Sequence, residues 1–64
     1  MRLLTDSELA RRADCELAVL FQMATEALTH TAPDTPARRN AIASLQNISR
    51  ERAHRHRRYR TPGF

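Results

Sequence analysis

Thr31-Ala32-Pro33-Asp34-Thr35-Pro36 decides how this chain folds. Pro33 disfavours helical geometry at Ala32, so a helix arriving from the amino-terminal side must stop there. Thr35 followed by Pro36 reads as an N-cap and a first helical position, where the missing proline amide costs nothing. The stretch is therefore a stop, a turn at 32–35, and a start. On either side, Ser7 to His30 and Ala37 to Arg57 contain neither Gly nor Pro and are rich in helix formers. Two long helices with so short a connection must lie antiparallel. The expected fold is all-α: one helical hairpin, with helix one over about 5–31 and helix two over about 36–57. Residues 58–64 are read as a frayed basic tail, because Pro62 and Gly63 break helices.

Helix one has a clear start. Thr5 and Glu8 have the spacing of a capping box, and Leu4 and Leu9 occupy the N′ and N4 positions of a hydrophobic staple. Asp6 and Glu8 put negative charge at the positive end of the helix dipole. At about 100° per residue, Leu9, Ala10, Ala13, Leu17, Leu20, Phe21, Ala24, Ala27 and Leu28 share one arc. Ala13 and Ala24 fall near its centre, and Val19 and Met23 lie beyond one margin. On helix two the arc is Ala37, Ala41, Ile42, Leu45 and Ile48, continued by Ser49 and Ala53. The core and dimer residues expected from these arcs are Leu9, Leu17, Leu20, Phe21, Leu28, Ile42, Leu45 and Ile48. Each stripe is wider than one neighbouring helix can cover, which predicts a homodimer closing into a four-helix bundle.

Sixty-four residues hold one domain at most. With 41% hydrophobic residues the chain is too apolar for disorder along its whole length, and a lone cysteine forms no internal disulfide. No apolar run approaches the roughly 18 residues a membrane span requires. Met1-Arg2-Leu3-Leu4 passes directly into Thr5-Asp6-Ser7-Glu8, leaving no room for a signal-peptide apolar region, so a cytoplasmic setting is expected. All 11 basic residues are Arg, against seven carboxylates. They are unevenly placed. Asp6 to Thr31 carries two Arg against five carboxylates, whereas Asp34 to Phe64 carries eight against two. An acidic half joined to a basic half suits self-association or an anionic partner.

Catalytic chemistry finds no support. The single Gly, Gly63, cannot build a phosphate-binding loop, and Asp14 and Glu16 project about 200° apart on a helix. Cys15 lies opposite the apolar arc and reads as an exposed surface thiol. His54 and His56 lack the i, i+4 spacing of a helical zinc pair. No catalytic residue, metal ligand or cofactor is assigned, and no small-molecule substrate or membrane contact is expected. The distinctive feature is the run from Arg50 to Arg60. Arg39, Arg50, His54, Arg57 and Arg58 share the face of helix two away from the apolar arc, where guanidinium groups can follow a phosphate backbone and Tyr59 can stack on a base.

Two long helices and a tight turn within 64 residues resemble, in length and helix plan, the plasmid RNA-modulator hairpins of the Rop type. That resemblance implies an antiparallel four-helix dimer and an RNA ligand held on one bundle face. It assigns no residue, and the charge layout differs, since here helix one is acidic. The expected function is a small, non-enzymatic, dimeric interaction or regulatory module. One alternative is nucleic-acid binding by the Arg-rich face of helix two; another is an adaptor whose apolar stripe receives a helix of a partner protein.

Overall fold

The computed structural model describes residues 1–59, with side chains through Arg57; the backbone of 58–59, expected to begin the frayed tail, is helical instead, and the side chains of Arg58 and Tyr59 and the rest of the tail lie outside those described residues. Among them are three helices and no strand: α1 (Asp6–Ala10), α2 (Asp14–His30) and α3 (Pro36–Tyr59). The turn forms where the two prolines place it. Thr35 Oγ1 accepts the Arg38 amide at 3.2 Å and donates to the Ala32 carbonyl at 2.8 Å. Asp34 sits at φ 61°, the left-handed conformation that the residue after Pro33 adopts in a tight turn. From there α2 and α3 run antiparallel, with Leu28 beside Arg38, Phe21 beneath Arg52 and Asp14 beside Arg55.

Helix one is divided. Its capping box forms, with the Glu8 amide donating to Thr5 Oγ1 at 3.3 Å and the Thr5 amide to Glu8 Oε1 at 3.4 Å. The helix then stops at Ala10, and the chain reverses through 11–13 before α2 begins. The Arg11 and Arg12 amides close the end of α1 on the carbonyls of Glu8 and Leu9. Ala13 is extended, at φ −70° and ψ 158°, and its amide donates to Glu16 Oε1 at 3.1 Å. Tertiary packing overrides helix propensity here. α2 begins level with Arg55, near the carboxyl-terminal end of α3, so an unbroken helix would carry Leu4 and Leu9 beyond that end. Reversal lays them against α3 instead, where Leu9 is fully buried and Leu4 is 5% exposed. It also departs from the two-helix plan of the Rop-type hairpins.

The amino-terminal arm, residues 1–10, therefore runs beside α3 in the same direction. Asn40 Nδ2 donates to the Met1 carbonyl at 3.2 Å, and Asn47 Nδ2 to the Leu4 carbonyl at 2.8 Å. Between them the buried Ser44 Oγ accepts the Leu4 amide at 3.0 Å. These three residues, at i, i+4 and i+7, make one polar line along α3 that satisfies backbone groups the arm would otherwise bury unpaired.

The core cluster is Leu4, Leu9, Leu17, Ala24 and Ile48, with Met1, Leu20, Phe21 and Leu45 packed against it and only partly buried. Leu28 is likewise half-buried. Five positions of the expected arcs lie outside. Ala13 and Ala10 are exposed because the reversal takes them off the α2 face, and Ser49 and Ala53 are exposed on α3. Ile42 is 39% exposed, since α2 covers α3 from the direction of Ala41 and Ile48 and Ile42 lies about 100° round the helix from Ala41. Cys15 is exposed.

Candidate functional site

The cations divide into those held by the fold and those left facing solvent. Arg55 is the most constrained, its side chain 12% exposed. Its Nε donates to Glu51 Oε2 and its Nη1 to Asp14 Oδ1, each at 2.7 Å. Its Nη2 reaches the carbonyls of Leu9 at 3.0 Å and Ala10 at 3.3 Å at the end of α1, the first of them shared with the Arg12 amide. One planar guanidinium thereby ties together all three helices. The hydrogen bonds to Asp14 and then Glu51 raise its pKa further, against the opposing effect of burial.

Other Arg side chains are also occupied. Arg2 makes a two-point contact with Glu8, both distances 2.7 Å, and Arg12 lies 3.4 Å from Glu16. The Arg2 hydrogen bonds, then the Thr5 amide, lower the Glu8 pKa from 4.5 to about 2. Arg38 donates to the Leu28 carbonyl at 3.4 Å, and Arg52 lies 5.7 Å above the centre of the Phe21 ring.

Of the residues expected to contact nucleic acid, Arg39, Arg50, His54 and Arg57 are exposed on the outer face of α3. At 1.5 Å per residue the stripe from Arg39 to Arg57 is about 27 Å long. Arg50, in its middle, donates to Asn47 Oδ1 and lies 3.8 Å from Asp6 Oδ1, a solvent-exposed pair of small energetic weight. Among the described residues no carboxylate lies within ion-pair distance of Arg39, His54 or Arg57. Arg58 and Tyr59, which complete the expected surface, lie outside the described side chains.

A second surface is the groove between α2 and α3 on the flank away from the arm. Asn40, Ser44 and Asn47 face the arm; Leu45, Ile42 and Ser49 lie nearly opposite them round α3. Phe21, Leu45, Gln46, Ser49 and Arg50 line a shallow hollow there, open to solvent. Val19 and Met23, 56% and 53% exposed, stand on another side of α2, Val19 near Cys15.

The helical arcs do not single out Arg55, Ser44, Asn40 or Asn47. The sequence does hold a cue for the reversal: Arg11-Arg12 followed by Asp14 and Glu16 is the charge order of one helix ending and another beginning. The described residues contain no group of three or more His, Cys, Asp or Glu placed to hold a metal ion, and no helix among them is long and apolar enough to cross a membrane. In comparisons with protein-family models, curated proteins and solved structures, nothing matches this chain.

Proposed function

We propose that the chain is a small non-enzymatic module that works by association, two copies closing their open α2–α3 grooves into a four-helix bundle. One observation carries this reading. The chain covers one flank of the helix pair with its own arm and leaves the other flank with Phe21 and Leu45 half-covered and Ile42 39% exposed. A second copy brings a matching apolar surface, and an isologous two-fold contact closes without leaving an open end. The expected result is a dimer in sedimentation equilibrium at low micromolar concentration. Ile42→Glu should convert it to a helical monomer, whereas Met23→Glu, on another side of α2, should leave it dimeric. A folded wild-type monomer at that concentration overturns the reading.

The uncommitted cations of α3 support a second reading, binding of a nucleic-acid backbone. Arg39 and Arg57 are exposed and unpaired among the described residues, while Arg2, Arg12 and Arg55 are spent on internal carboxylates. DNA or RNA should be retarded at low salt. Changing Arg39, Arg50 and Arg57 together to Ala should flatten the log–log salt dependence by about 0.9 for each phosphate no longer neutralised. Absence of retardation at low salt removes this reading.

A further inference from the structure

We infer that the two copies pair crosswise, α2 of each lying against α3 of the other; this inference rests on the dimer reading above. The two edges of the open groove are chemically unlike. On the α3 edge, Arg38, Leu45 and Arg52 recur every seven residues and so share one side of the helix, with the exposed His56 one turn beyond. Leu45 lies midway between the two Arg. A two-fold axis at Leu45 that laid α3 on α3 would set Arg38 opposite Arg52 of the partner subunit, and would do so twice. Like charges brought together at a closing interface select against that arrangement.

The α2 edge carries no cation. It presents Ala18, Phe21 and Thr25, with Thr29 beyond and Glu26 at the rim. Its hydroxyls are already satisfied: Thr25 Oγ1 donates to the Phe21 carbonyl at 2.9 Å and Thr29 Oγ1 to the Glu26 carbonyl at 2.8 Å. Covering them leaves no unpaired donor. Small side chains at Ala18 and Thr25 also allow a helix bearing Ile42 and Leu45 to approach closely. The cross-helix pairs Asp14 with Arg55 and Leu28 with Arg38 set Leu45 between the levels of Phe21 and Ala24. With the axis at that level, Phe21 meets the turn between Ile42 of the partner subunit and Leu45 of the partner subunit, and Thr25 comes beside the turn that starts at Gln46 of the partner subunit. The acidic half of each chain then lies along the basic half of the other.

Disulfide trapping in a Cys15→Ser background tests the arrangement. Thr25→Cys and Gln46→Cys are prepared as two separate proteins, oxidised alone and as an equal mixture, and run on non-reducing gels. The crosswise arrangement predicts a linked species in the mixture well above either protein alone, with a 25–46 linked peptide found by mass spectrometry. Efficient linkage of either protein to itself overturns it in favour of like helices pairing. A sample that is dimeric by sedimentation yet unlinked in all three reactions places the interface elsewhere and also overturns it. A monomer by sedimentation instead removes the dimer reading and this inference with it.

Discussion

Ser44→Ala is a small change with a large expected effect. Ser44 is fully buried, and its Oγ accepts the amide of Leu4, itself 5% exposed, at 3.0 Å. Removing the hydroxyl leaves that N–H in an apolar site with no acceptor, a loss of about 1–3 kcal/mol. A domain of this size has a total stability of roughly 3–10 kcal/mol, so the change removes a substantial fraction of it. The midpoint of thermal unfolding should fall by about 4–8 °C for each kcal/mol lost. Urea unfolding followed by circular dichroism, at one fixed protein concentration, gives the free energy. Hydrogen exchange at the Leu4 amide gives the location, since an arm released from α3 exchanges there first. Ser7→Ala, at an exposed position outside the open groove, should stay within about 0.5 kcal/mol of wild type. If Ser44→Ala behaves like Ser7→Ala and the Leu4 amide exchanges rapidly in both, the arm is not docked on α3 and its burial does not divide the helix.

Leu17→Ala should cost about 2–5 kcal/mol by opening a cavity in the core, while Cys15→Ser two residues away should cost under about 0.5 kcal/mol; equal losses in the two urea titrations would mean the face of α2 is misassigned. The Glu8 carboxyl, held at about 2 against an ordinary 4.5, contributes stability that is fully present above pH 4.5 and is lost as pH falls toward 2. Glu8→Gln should therefore be less stable than wild type at pH 6 and converge with it near pH 2, and a gap independent of pH would contradict the Arg2–Glu8 pairing. Asp34→Gly should be neutral to stabilising by up to about 1 kcal/mol, because φ 61° is strained for a residue with a Cβ; a loss above about 1 kcal/mol would assign the Asp34 side chain a role of its own.

The turn at 32–35, the capping box at Thr5 and the start of α3 are legible in the sequence because each is a local event. A hydroxyl three residues from an amide, or a proline ring against its neighbour, needs nothing distant to act. The division of helix one is not legible from propensity, because Arg11 and Ala13 are good helix formers. What stops the helix is Arg55, more than forty residues away, drawing the Leu9 and Ala10 carbonyls, together with the burial that Leu4 and Leu9 gain by turning back. Ser44 is hidden for a related reason: periodicity scores it as polar, and only the arm's backbone shows why a hydroxyl belongs at a buried position. The outward face of α3 follows directly from helical phase, so the exposure of Arg39, Arg50, His54 and Arg57 is foreseeable. That Arg55 and Arg52 are internally engaged is not, since apart from Glu51 their partners come from other helices.

Arg55 also sets an order of events during synthesis. The ribosome delivers residues 5–31 long before residue 55, and until the last turns of α3 emerge there is no guanidinium to take the Leu9 and Ala10 carbonyls. A nascent chain at that stage holds a sequence free to grow as one straight rod, and it must fold back once the carboxyl-terminal part arrives. A fragment ending at residue 35, which lacks α3 altogether, should accordingly show helical amide shifts straight through Arg12, and a kink persisting there would mean the bend is written locally after all.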